Sequence, residues 1–176
     1  ITRVKKDPKA KAFVLMSLLE SAFDKIELQK SRIEYNRKNS RIDVKTLFSD
    51  IHFLLISFSN LRKLLKNLCS CLKEDNNLTI LLNKYEKDLI HLNNFRDHLE
   101  HITEGRVEGK AERGRKLKEP NMLGNLYNDT YDFGGEKFNL KDAYNLAKQI
   151  KEEIDNWNTA KNIYPIRGKT STFKYR

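Results

Sequence analysis

Glycine and proline are scarce in this chain of 176 residues, with seven of the first and three of the second. So few turn-formers argue against a loop-rich or many-turned all-β architecture. Cysteine is rarer still. Cys69 and Cys71 fall two apart on a segment that reads as helix, so their side chains diverge. A bridge between them is sterically poor, and a single C-x-C without a second cysteine pair is not a zinc site. The two read as packing residues in a reducing cytoplasm. Long apolar runs are also missing: stretches such as Phe53-Leu54-Leu55-Ile56 are far short of the roughly 20 residues a bilayer helix needs. With 33% charged residues and a mean hydropathy of −0.70, no membrane partner is expected. The chain opens on Ile1 rather than Met, and no secretory signal is read there.

What is present suffices for one folded domain. At 39% hydrophobic the chain can fill a core, which argues against wholesale disorder. Lys and Arg number 34 against 24 Asp and Glu, a net charge of +10. That excess suits a polyanionic partner, because Lys and Arg drive affinity by neutralising phosphates. A well-solvated basic surface is the plainer alternative.

Period-3.6 patterning predicts four helices. The first runs from about Pro8 to Asn36, with Asp7-Pro8 as cap and first turn and with Phe13, Met16, Leu19, Phe23, Ile26, Lys30 and Ile33 on its core stripe. The second starts at Asp43, a good N-cap, and reaches about Lys73. Its stripe includes Val44, Ile51, Leu54, Leu55, Phe58, Leu61, Leu65, Leu68 and Leu72. A loop at Asp75-Asn76-Asn77 leads to a third helix over about Leu78–Thr103, and Gly105 is its natural stop. A polar, periodless, basic connection follows over 106–121. Turn signals at Asn128-Asp129 and Gly134-Gly135, flanked by short aromatic segments, then predict a β-hairpin or three-stranded ribbon over 122–139. It is too short to be stable alone and must pack on the helices. A fourth helix spans about Leu140–Thr159, and 161–176 is a basic tail. The expected fold is mainly α: a four-helix bundle over 1–160 with a small β-ribbon inserted before the last helix.

One segment stands out from this generic pattern: Phe95-Arg96-Asp97-His98-Leu99-Glu100-His101, where ionisable residues crowd the end of a core helix. At ~100° per residue, Arg96, Glu100, Asn93, Asp97 and His101 fall in one unbroken polar arc beside the apolar stripe. Asp97 and His101 are i,i+4 neighbours, as are Arg96 and Glu100. Surface helices commonly carry such pairs, so spacing alone does not single out catalysis. A metal reading has less behind it, since His91, His98 and His101 lack H-E-x-x-H spacing and no other helix supplies carboxylates in a partner motif.

Arg96-Asp97-His98-Leu99-Glu100-His101 resembles the R-x-x-x-x-H motif of HEPN domains, where a small polar residue commonly follows the Arg. The motif's place near the end of a long helix in a four-helix bundle matches too. In specific residues the resemblance covers only Phe95 to His101, and the ribbon around Phe133-Gly134-Gly135 is not a general HEPN feature. The resemblance implies a metal-independent ribonuclease without a cofactor, acting as a dimer with two motifs facing a basic cleft, in a setting of toxins, their neutralising antitoxin proteins or phage defence. On that reading the catalytic candidates are Arg96, Asp97, Glu100 and His101. RNA brings its own nucleophile, the 2′-OH, so the protein need only move protons and stabilise the pentavalent phosphate. His101 would be general base or acid, histidine titrating ordinarily near 6.5. Asp97 would orient its ring, Arg96 would hold phosphate oxygens, and Glu100 would compete for Arg96 in the free protein. Arg106, Lys110, Arg113 and Arg115 follow directly and are candidates for contacting RNA. Two other readings stay open: a non-catalytic bundle for dimerisation or partner binding, with Arg96–Glu100 a structural ion pair, and a basic RNA-binding module in which His101 has no role.

Overall fold

The structure, a computed structural model, describes residues 7–39, 43–100, 125–133 and 136–165. Over these the expected mainly α fold is found. Helix α1 spans Pro8–Lys38, α2 Val44–Cys71, α3 Asn76–Glu100 and α4 Leu140–Lys161. Strands β1 (Asn125–Tyr127), β2 (Thr130–Phe133) and β3 (Glu136–Asn139) form an antiparallel sheet in the order β1-β2-β3 between α3 and α4. Around the bundle α1 packs on α2, α2 on α3, α3 on α4 and α4 back on α1, which closes a ring around one core.

Local chemistry sets the helix starts. Asp7 accepts from the Lys9 amide at 2.9 Å ahead of Pro8, and Asp43 accepts from the Lys45 amide at 3.1 Å. Asn139 does the same for Asp142 at the head of α4, which ends where Asn162 takes a left-handed conformation. Each side chain replaces a missing intrahelical partner. The third helix starts earlier than its apolar pattern suggests. Asp75 accepts from the Leu78 amide at 3.1 Å, so Asn76 and Asn77 form the first turn rather than the loop expected there.

Asp75 also fastens α4. Its second oxygen takes the Trp157 indole N–H at 3.1 Å and lies 2.9 Å from Lys161 Nζ. Burial pushes the Asp75 carboxyl up, but the bonds from Lys161, Trp157 and the Leu78 amide outweigh it and hold its pKa below the ordinary carboxylate value. A depressed folded pKa gives stability that is complete above the unfolded value, near 4, and that fades as pH falls through the folded one. Asp75→Ala is therefore expected to cost about 2–3 kcal/mol at pH 7. That difference from wild type should shrink in urea melts repeated at falling pH below about 4.

The core is continuous from Met16, Leu19 and Ile26 of α1 through Leu54, Phe58 and Leu65 of α2 to Leu89 and Phe95 of α3 and Ile150 and Ile154 of α4. Phe13, expected inside, is 44% exposed. Ala12 takes the inward place one residue earlier, and the Phe13 ring instead meets Tyr164, 4.8 Å away between centroids. Val44 is exposed as well, at the first position of α2. A buried acid interrupts the apolar face of α2: Asp50 accepts from Arg32 Nε at 2.8 Å and Asn36 Nδ2 at 2.6 Å, which ties α2 to the end of α1.

The sheet packs on the bundle as its length demands. Tyr131 and Phe133 of β2 and Phe138 of β3 are buried, and the Phe95 ring centroid lies 5.7 Å from Tyr131 and 4.8 Å from Phe138. Arg37 of α1 holds the first turn through Asp129 Oδ1 at 2.6 Å and the Asn128 carbonyl at 2.5 Å. Asn128 takes a positive φ of 52°, a conformation asparagine tolerates better than most residues. Residues 161–165, at the head of the segment expected to be a tail, are partly held: Asn158 donates to the Tyr164 carbonyl and accepts from its amide. No helix among the described residues is long and apolar enough to cross a membrane.

Candidate functional site

The seam between α2 and α3 is where the polar residues of the motif find partners. The two helices are sequential neighbours joined by a short turn, so they run antiparallel and early α2 stands beside late α3. Ser59, 1% exposed on α2, donates to Asn93 Oδ1 at 2.8 Å. Arg96 Nη1 donates to the same Ser59 hydroxyl at 3.0 Å. Arg96 Nη2 donates to Asp97 Oδ1, while Asn93 Nδ2 donates to Asp97 Oδ2 at 3.2 Å. One turn on, Glu100 Oε2 lies 3.3 Å from Arg96 Nε, and Glu100 Oε1 lies 3.8 Å from Nε2 of His52 on α2.

Two features of this cluster govern its chemistry. First, Arg96 is only 18% exposed and its guanidinium is fixed at both terminal nitrogens. Such a group meets developing charge with little reorganisation, the condition for electrostatic stabilisation of a transition state. Second, Arg96 Nε and His52 Nε2 are shut off from solvent and make no hydrogen bond, although both face Glu100. Arg96 meets its carboxylate as an ion pair and His52 lies 3.8 Å from it, both without hydrogen-bond alignment.

The seam continues as a charged ladder. Farther along, Arg62 grips Glu86 with both Nη2 (2.6 Å) and Nε (3.3 Å), and Lys66 adds a contact at 2.9 Å. Burial pushes the Glu86 carboxyl up, but Arg62 and Lys66 more than offset it, so its pKa lies below the usual range. Arg62 and Lys66, which make this half of α2 basic in the sequence, are thus engaged with an acid. Among the described residues no group of three or more His, Cys, Asp or Glu side chains is placed to hold a metal ion.

Of the residues singled out in the sequence, the structure brings Arg96, Asp97 and Glu100 together. His101, Arg106, Lys110, Arg113 and Arg115 lie outside the described residues, as does the His98 side chain. Asp97, expected to orient His101, is bonded through its two oxygens to Arg96 and Asn93, so its described role is to hold the guanidinium. Ser59 and His52 escaped the sequence reading. Their signal was faint: two polar residues seven apart, hence on one face of a helix whose inward positions are mostly apolar. No family model, curated protein or solved structure matches this chain. The fold and the cluster define it as a mainly α, four-helix-bundle protein with a polar seam built on α2 and α3.

Proposed function

We propose that this chain is a HEPN-like, metal-independent endoribonuclease of the cytoplasm, acting as a dimer in the manner of a toxin or phage-defence effector that an antitoxin protein would restrain. The observation that supports this reading is the fixed Arg96 guanidinium, held by Ser59 and Asp97, five residues ahead of His101 in the sequence. In the reaction a base takes the proton of a ribose 2′-OH, and the 2′-oxygen attacks the adjacent phosphorus. The bond to the 5′-oxygen breaks as an acid supplies that oxygen with a proton. The products are a 2′,3′-cyclic phosphate and a 5′-hydroxyl, with no oxidant, water or metal consumed. His101 carries the proton transfer as base or acid, Arg96 stabilises the charge on the pentavalent phosphate, and Asp97 positions Arg96. Arg106, Lys110, Arg113 and Arg115 neutralise phosphates of the bound strand.

A second reading is favoured by a specific observation. Arg96 is largely buried among Ser59, Asp97 and Glu100, as expected of an ion pair that fastens α3 to α2 in a non-catalytic binding bundle. Incubation of RNA with the purified protein in EDTA separates the two. Cleavage by wild type that His101→Ala removes, with the variant folded, supports the nuclease. Intact RNA across a broad panel favours the binding bundle.

A further inference from the structure

Glu100 stands between two buried nitrogens and satisfies neither. Its Oε2 is 3.3 Å from Arg96 Nε and its Oε1 is 3.8 Å from His52 Nε2, yet both nitrogens lack a hydrogen-bond partner. Buried donors are nearly always paired, so two orphans converging on one carboxylate call for a physical explanation. His52 can donate there as imidazolium or as the neutral tautomer protonated on Nε2. The two neighbouring carboxylates differ in their hold. Asp97 is anchored by hydrogen bonds to both Arg96 and Asn93. Glu100 is 35% exposed, has a longer stem, and faces Arg96 Nε and His52 Nε2 without a hydrogen bond to either. It is the group that can leave.

We infer that Arg96 Nε and His52 Nε2 form an oxyanion site whose ligand is a phosphate group, and that Glu100 is its resident occupant in the free protein. This deepens the nuclease reading and rests on it for the source of the phosphate, a phosphodiester of bound RNA. A tetrahedral phosphate presents more oxygens, in more directions, than a planar carboxylate, and can align one with each nitrogen. When it enters, Glu100 swings to water, which its exposure allows. Arg96 keeps Ser59 and Asp97 throughout, so only its Nε edge changes partner. His52 is on this account a binding residue contributed by α2, outside the R-x-x-x-x-H motif altogether. Glu100 acts as an internal competitor that keeps the site closed to stray anions.

The test uses full-length protein and two probes: inorganic phosphate, followed by calorimetry, and an uncleavable 2′-O-methyl RNA, followed by fluorescence anisotropy. Glu100→Gln removes the competing charge and should tighten RNA binding about tenfold, since a like charge facing the ligand is lost. Phosphate binding should tighten in parallel. Adding His52→Ala to Glu100→Gln should abolish that gain, the signature of two residues coupled through one ligand. Glu100→Asp, which shortens the stem by one carbon, should open the site partway and guards against misfolding of a single variant. Unchanged or weaker binding of both probes by Glu100→Gln and Glu100→Asp overturns the inference, as does a gain indifferent to His52. A gain for phosphate alone overturns RNA as its ligand. Cleavage in EDTA, measured on the same proteins, separates this result from the nuclease reading. The expected binding changes without any cleavage leave the oxyanion site standing and the nuclease refuted. Cleavage that depends on Arg96 and His101, with binding indifferent to Glu100 and His52, does the reverse.

Discussion

Arg96→Ala is expected to slow RNA cleavage in EDTA by about 10²–10³-fold, the usual loss when one preorganised donor to a transition-state oxyanion is removed. His101→Ala should cost about 10²–10⁴-fold, as loss of a general acid or base does. The double variant should be little slower than the worse single one, because residues acting on one transition state are not additive. Arg96→Lys should recover little. A lysine places one point charge where the guanidinium holds the Ser59 hydroxyl and the Asp97 carboxylate together. The stability loss for Arg96→Ala should stay near 1–3 kcal/mol, because Asn93 still bonds both Ser59 and Asp97 without it. Single-turnover cleavage and urea melts on the same preparations check both figures. If Arg96→Ala melts far more easily while His101→Ala leaves a wild-type rate, the pair is structural.

Phe95→Ala should be the most destabilising single change near the site, at about 3–5 kcal/mol. For a protein of this size that lowers the melting temperature by roughly 6–20 °C. Phe95 is 1% exposed and lies where α3 meets the sheet, its ring 4.8 Å from Phe138, 5.7 Å from Tyr131 and 6.4 Å from His91. Truncation leaves a void bounded by three rings that the short strands cannot close, and it loosens the helix turn that carries Arg96. Tyr127→Ala is the control. Its side chain is 75% exposed, so its removal should change stability by no more than about 0.5 kcal/mol. Thermal and urea denaturation measure both.

The bundle was legible because its helices carry their own boundaries. Asp7, Asp43 and the long apolar stripe from Ile51 to Leu68 state where α1 and α2 begin and which face they bury, and the structure agrees. Where the reading slipped, the deciding information was tertiary. Phe13 and Ala12 are adjacent, and only the close approach of a neighbouring helix decides that the smaller one turns inward. In the ribbon Tyr127 and Tyr131 look equivalent as letters. Yet Tyr127 pairs with Thr130 and shares its face, whereas Tyr131 pairs with Leu126 and turns to the core. The motif residues Arg96, Asp97 and Glu100 could be placed on one arc by helical spacing alone. Ser59 and His52 could not be joined to them, since nothing along the chain says which turn of α2 stands opposite Arg96. Helix periodicity fixes a face but not its partner.

Metal-free cleavage driven by the RNA's own 2′-hydroxyl is the step proposed for Arg96 and His101. Its most direct test is to incubate RNA, DNA of the same sequence and the 2′-O-methyl form of that RNA with wild-type protein in EDTA, and to analyse the product ends. The RNA alone should be cut, leaving a 2′,3′-cyclic phosphate on one fragment and a 5′-hydroxyl on the other. Intact RNA in EDTA, cleavage that appears only when magnesium is restored, or cutting of the 2′-O-methyl strand would contradict it.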